Sequence, residues 1–270
     1  MTERPCPQCG ASQPPGAAGV CPACALRGVL REEVPAHGRA VGRYQLIELL
    51  GEGGMGAVWL AEDPALDRLV AVKMLPLASF RRKAMEARLR REARAVASLN
   101  HPHVVKVFEV GEDRETLYLA MEYVEGGDLR DGLREGRWEP RRAARFLLQA
   151  ADAVAHAHAA GVLHRDLKPG NVLLTETGQP RLADFGLAAP VGARGDLTLT
   201  GQALGTPAYM APEVAEGRPV DVRVDVYGLG AILYELLTGR APFTGSTTAA
   251  ILTAVSREQP VRPRTVRPAI

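Results

Sequence analysis

The sequence predicts an α+β fold in two lobes. A five-stranded antiparallel sheet with one main helix comes first, then a mostly helical lobe, and a small cysteine-paired module precedes both. Three observations predict it. Between residues 44 and 123, short runs alternate apolar and polar residues, the period of half-buried strands. Residues 83–99 and 141–160 carry helical signatures, the second being Ala- and Leu-rich and ended by Gly161. All four cysteines lie within residues 6–24.

At 270 residues and 46% hydrophobic, the chain can build one large core or two smaller ones. A net charge of +2 gives no bulk electrostatic argument for nucleic-acid binding, and none is expected. No apolar run reaches the roughly eighteen residues of a membrane span. The start, MTERPCPQCG, is polar, so no secretory signal is read there. The expected location is cytoplasmic, with a membrane anchor after residue 270 left open.

Cys6, Cys9, Cys21 and Cys24 form two CxxC knuckles, a pattern that brings four thiolates to one point and suits tetrahedral Zn2+. Residues 1–27 are therefore expected to be a zinc ribbon whose folding and metal binding are one event. Two disulfides or a redox CxxC are the competing readings. The loop Ala11–Val20 has no Lys, Arg or aromatic residue, which argues against a nucleic-acid role. Residues 28–43 read as a linker.

Tyr44–Leu50 is a strand candidate that runs into Gly51-Glu52-Gly53-Gly54-Met55-Gly56 and continues as a second strand through Val58. Such a glycine-rich turn can lie close over a phosphate chain. A dinucleotide site would need a helix after the glycines, and a strand follows instead. In the next strand, Val70, Val72 and Met74 face one way, and Ala71, Lys73 and Leu75 the other. An ammonium among apolar neighbours needs an anion. Met85, Leu89, Glu92, Val96 and Leu99 share one face of the helix, so Glu92 interrupts an apolar stripe; an ion pair with Lys73 would answer both needs. Val104–Gly111 and Leu117–Tyr123 complete the sheet.

Residues 164–186 read HRDLKPGNVLLTETGQPRLADFG. The apolar runs Val162-Leu163, Val172–Leu174 and Leu182-Ala183 are short and bounded by Pro and Gly, so they look like small strands joined by tight loops. That unit would hold Asp166, Asn171 and Asp184 together. Two carboxylates and an amide are hard ligands, suited to Mg2+ with phosphate oxygens in its shell.

HRDLKPGN, Asp184-Phe185-Gly186, the loop from Gly51 to Val58, Ala71-Val72-Lys73 and Ala211-Pro212-Glu213 together resemble the protein kinases. The resemblance covers about residues 44–262 and is closest to bacterial serine/threonine kinases of the eukaryotic-like type, some of which carry a zinc ribbon in front. It implies lobes at 44–122 and 123–270, ATP with Mg2+ or Mn2+ as cofactors, and protein substrates phosphorylated on Ser or Thr. It gives Asp166 as the group that accepts the hydroxyl proton, Lys168 as the cation on the transferred phosphoryl, and Asn171 and Asp184 as metal ligands. Lys73, paired with Glu92, positions the phosphates. Backbone groups of Glu122 and Val124 meet the adenine; Leu50, Val58, Ala71 and Leu173 enclose it, with Met121 at the back. Thr198 and Thr200 lie where activation-loop phosphorylation occurs, a modification that Arg165 could receive, and Thr206 is expected beside Asp166 and Lys168. Asp225 would hold the backbone of the catalytic loop, and His164, Phe185, Val96 and Val107 would stack as a spine. Self-association for autophosphorylation in trans is also implied.

Two rivals remain. A nucleotide-binding scaffold usually lacks one of Lys73, Asp166 or Asp184, and none is missing. A zinc-dependent nucleic-acid binder lacks the basic residues it needs. The last helices of the second lobe, including the usual partner of Glu213, are expected to be missing. Apolar surface is therefore expected near Leu233, Leu237 and Ile251. His156 and His158 are read as ordinary histidines.

Overall fold

A computed structural model describes residues 4–5, 12–13, 40–53, 56–77, 83–134, 136–185 and 207–270. The chain divides into two compact units, Met1–Arg39 and Ala40–Ile270. In the first, Arg4–Pro5 (β1) pairs antiparallel with Ser12–Gln13 (β2). Cys6, Cys9, Cys21 and Cys24 lie outside the described residues.

The second unit opens with strands Ala40–Val41 (β3), Tyr44–Gly53 (β4), Gly56–Asp63 (β5) and Arg68–Pro76 (β6). Helix Lys83–Ala97 (α1) follows, then strands Val107–Asp113 (β7) and Thr116–Glu122 (β8). They form one antiparallel sheet in the order β3-β4-β5-β6-β8-β7. The sequence predicts five strands; β3 makes a sixth, inside the segment expected to be linker. Gly42 turns the chain there at φ 55, where a Cβ would sit 2.4 Å from the Tyr118 hydroxyl.

The two faces of β6 separate as its alternation predicts. Val70, Val72 and Met74 join Tyr44, Trp59 and Tyr118 in one cluster. Ala71 and Leu75 join the main core with Leu89 and Val96 of α1. The strand expected from Val104 starts only at Val107. Val104 instead bridges to Leu182, and the Val105 N–H donates to the Leu182 carbonyl at 2.9 Å, so the second lobe takes these backbone groups.

The second lobe holds helices Leu129–Arg134 (α2) and Pro140–Ala159 (α3), then the hairpin Val172–Leu174 (β9) and Pro180–Leu182 (β10). Helices Pro212–Ala215 (α4), Arg223–Thr238 (α5), Thr248–Arg257 (α6) and Pro263–Val266 (α7) follow. Val162-Leu163 forms no strand. Glu139 caps α3 by accepting the Arg142 N–H at 2.9 Å, and Pro140 occupies its first turn. The buried alanines 143, 150, 153 and 157 let α3 lie close to the rest of the core, which includes Ile232 and Leu236 of α5.

The expected apolar patch is corrected. Leu233 and Leu237 are half-buried against the main core, and Ile251 packs on Phe243 and Val255. The chain's own tail packs on the helix that carries Leu233 and Leu237: α7 lies against α5, and Arg267 donates to the carbonyls of Trp138 at 2.7 Å and Leu237 at 3.2 Å.

Candidate active site

The catalytic loop between α3 and β9 is held from below by one carboxylate. Asp225 is 1% exposed, and its oxygens accept the backbone N–H of His164 at 2.8 Å and of Arg165 at 2.7 Å. Arg165 has φ 66, a left-handed conformation that costs a non-glycine residue on the order of 1 kcal/mol and needs such support. A third contact reaches Asp225 from α3: His158 Nε2 lies 2.8 Å from Oδ2. His158, read as an ordinary surface or core histidine, thus has a structural partner that the sequence reading did not name. Its place four residues after buried Val154, on the inner helix face, is the signal that could have found it. Gly228 of α5 runs directly beneath, and a Cβ there would meet Leu167 Cβ at 2.7 Å.

Above this base, the expected polar side chains converge. Asp166 Oδ2 accepts Lys168 Nζ at 2.6 Å and Asn171 Nδ2 at 3.0 Å. Asn171 also donates to the Asp166 carbonyl at 2.7 Å. With its NH2 spent on Asp166, its Oδ1 is the group left to face a cation. The Ala183 N–H donates to the Asn171 carbonyl at 2.9 Å, which ties β10 and Asp184 to the loop. Asp184, at φ 64, pairs with Lys73 Nζ at 2.7 Å. Desolvation pushes the Asp184 carboxyl up, but the Lys73 ammonium overrides it and holds the group below the usual carboxylate range. A half-buried carboxylate beside an amide oxygen is a donor set that fits Mg2+ or Mn2+.

The expected Lys73–Glu92 pair is not formed. Lys73 is taken by Asp184, and Glu92 pairs with Arg165 at 3.3 Å. Glu92 is half-buried, so it needs a cation, and Arg165 supplies one from the second lobe. Arg165 Nε remains buried without a hydrogen-bond partner among the described residues.

The spine residues do meet. His164 and Phe185 are fully enclosed, with ring centroids 4.6 Å apart. Burial holds the His164 pKa down, against the pull of Asp225, Asp166 and Asp184. Val96, Val107, Met121 and Phe185 line one small cavity with Lys73 and Asp184. Ala71 and Met121 face each other across β6 and β8. Val58, Val124 and Leu173 are half-buried, while Leu50, Gly51 and Glu52 are exposed. Gly53 closes the β4–β5 pairing opposite Gly56. Gly56, at φ 140, lies so close to β6 that a Cβ would sit 1.9 Å from the Met74 carbonyl. Glu213 lies half-buried in α4. Gly54, Met55, Gly186, Thr198, Thr200 and Thr206 lie outside the described residues.

Comparison with known proteins places this geometry. The protein kinase domain model matches residues 44–266. A probable serine/threonine-protein kinase of Streptomyces coelicolor is 44% identical over 238 residues, covering 86% of this chain and 35% of that protein. PknB of Mycobacterium tuberculosis is 42% identical over 227 residues, covering 82% and 36%. PrkC of Bacillus subtilis is 40% identical over 214 residues, covering 79% and 33%. The chain thus spans about a third of the length of these relatives. The crystal structure of the PknI kinase domain of Mycobacterium tuberculosis, solved as a cysteine-to-alanine mutant, superposes with a TM-score of 0.69 at 30% identity, covering 88% of this chain and 86% of that one.

Proposed function

Because this chain belongs to the protein kinase domain family, we propose that it transfers the γ-phosphoryl group of ATP to serine or threonine hydroxyls of proteins. The observation that carries this reading is the convergence of Lys73, Asp166, Lys168, Asn171 and Asp184, drawn from separate segments, through contacts of 2.6–3.0 Å. Asp166 orients the attacking hydroxyl and accepts its proton. Lys168, now on Asp166, is placed to neutralise the transferred group. Lys73 holds the phosphates once it leaves Asp184, and Asp184 and Asn171 would hold Mg2+ or Mn2+. The bound cation would spread the phosphate charge. Most of the rate then comes from positioning and charge neutralisation.

The test is incubation with γ-labelled ATP and Mg2+, wild type beside Asp166→Asn, with the labelled residues mapped. Wild type should label Ser or Thr, and the variant should fall by about a hundredfold or more. Equal label in both would refute the assignment. Label on Thr198 or Thr200 would support their role as activation-loop sites. A labelling rate that rises with protein concentration would support self-association in trans. A domain that uses ATP belongs where ATP is made, so we place it in the cytoplasm.

The same proposal includes a zinc ribbon over residues 1–27, supported by the spacing of Cys6, Cys9, Cys21 and Cys24. Metal analysis of purified protein should find zinc that is lost from Cys9→Ser. Zinc-free protein would refute it.

A further inference from the structure

At the joint between the lobes, one carboxylate is held from two sides. Glu122 is the last residue of β8. Its Oε2 accepts the Lys106 N–H at 3.3 Å, and its Oε1 pairs with Arg181 Nη2 at 3.3 Å. The Glu122 N–H in turn donates to the Lys106 carbonyl at 2.9 Å. Lys106 immediately precedes β7 in the first lobe. Arg181 is the middle residue of β10 in the second, opposite Leu173 of β9. The next residue, Leu182, exchanges backbone hydrogen bonds with residues 103 and 105, at 2.8 and 2.9 Å. Main-chain pairing alone sets the β7–β8 and β9–β10 registers, so the side-chain pair forms neither element. What it adds is a tie between the strand that ends at the hinge and the strand that leads to Asp184.

We propose that Arg181 is a positioning residue for nucleotide binding. Through Glu122 it fixes the hinge backbone over residues 122–124 relative to the β9–β10 hairpin, which carries Leu173 on one strand and leads into Asp184 from the other. This rests on the reading that adenine meets the hinge. Arg181 and Glu122 side chains are 26% and 28% exposed, so the pair contributes little to global stability. Its effect is geometric, because a connection of a few residues absorbs the relative motion of two lobes. A base gripped by a hinge that wanders binds less tightly, while the catalytic loop below, anchored by Asp225, is untouched.

Steady-state kinetics with varied ATP test this on the full chain. Arg181→Met keeps the aliphatic stem and removes the charge. It should raise KM for ATP about three- to fivefold, with kcat changed by less than about twofold. Arg181→Lys, which keeps a cation beside Glu122, should hold KM within about twofold of wild type. An unchanged KM in Arg181→Met, a fall in kcat at constant KM, or a KM in Arg181→Lys as high as in Arg181→Met would overturn the proposal. Should Arg181→Met fail to fold, Arg181→Gln replaces it and is judged by the same outcomes. Should wild type transfer no phosphoryl group, the functional reading fails and calorimetric binding of Mg-ATP decides the clasp. Arg181→Met must then bind about three- to fivefold more weakly.

Discussion

The outer face of the sheet and the cleft on its other side both hold charges away from water, but they satisfy them differently. On the outer face the partners close on one another. Glu109 accepts the Tyr44 and Tyr118 hydroxyls, each at 2.8 Å, and also pairs with Arg43 at 3.3 Å. Arg43 reaches on to Asp63 at 3.2 Å, and Asp63, fully buried, also takes Arg68 at 3.5 Å. Arg68 in turn lies 3.8 Å over the Phe108 ring. In the cleft the charges pair off singly: Lys73 with Asp184, and Lys168 with Asp166. A network whose members share partners serves rigidity, although Asp63 Oδ1 and Arg68 Nε make no hydrogen bond among the described residues. A pair can exchange partners at little cost when a phosphate or cation arrives, because each member already sits in an electrostatic slot. On the proposed function the cleft pairs would be placeholders for substrate, and the outer network is structure.

The largest effect that would break this contrast lies in the cleft. Asp166→Asn should remove activity by about a hundredfold or more and leave thermal unfolding within about 1 kcal/mol of wild type. The variant keeps its shape and the Asn171 contacts, and loses only one member of a half-exposed pair with Lys168. Calorimetric or fluorescence melts beside the labelling assay check it. A variant that loses stability in proportion to activity would show that the cleft pairs are structural after all.

Glu109→Ala is the reciprocal break and the middle effect. It leaves two buried phenol hydroxyls without their acceptor and takes from Arg43 one of its two carboxylates, and should cost about 2–4 kcal/mol of unfolding free energy. Activity of the folded fraction should stay within about twofold, because none of the described cleft residues touches the network. Denaturant unfolding with parallel assays separates the two. Stability unchanged by Glu109→Ala would dissolve the distinction.

Why some of this was legible and some not follows from the range of each signal. The alternation of Val70–Leu75 fixes both faces of β6, so the side of the sheet on which Lys73 lies could be read directly. The spacing of Asp166, Lys168, Asn171 and Asp184 encodes a local loop and hairpin, and the structure brings those groups together. β3 is too short to show any period, and only the Gly42 turn reveals it. The partner of Glu92 is a different matter. Its helical stripe says that a cation is needed but not which one, and Arg165, which pairs with it, lies 73 residues away. Pattern specifies the need and tertiary packing chooses who meets it. His158 and Asp225, 67 residues apart, and Arg181 with Glu122 are contacts of the same kind.

The smallest effect is silent at neutral pH and sharpens the comparison in alkali. Burial, and then the hydrogen bond to Glu109, raise the pKa of Tyr44 and of Tyr118 from 10.0 to about 12. In the unfolded chain both phenols ionise near pH 10. Between pH 10 and 12 the folded state therefore binds more protons than the unfolded state, so stability falls as pH rises through that window. Below pH 10 the contribution is fully present. Ultraviolet difference titration of phenolate in wild type, Tyr44→Phe and Tyr118→Phe reads it directly. Each variant should lose one late-ionising phenol, and the remaining one should titrate earlier than in wild type if a looser site lets water reach it. Two phenols that ionise near pH 10 in the folded protein would mean that the outer network is as open as the cleft.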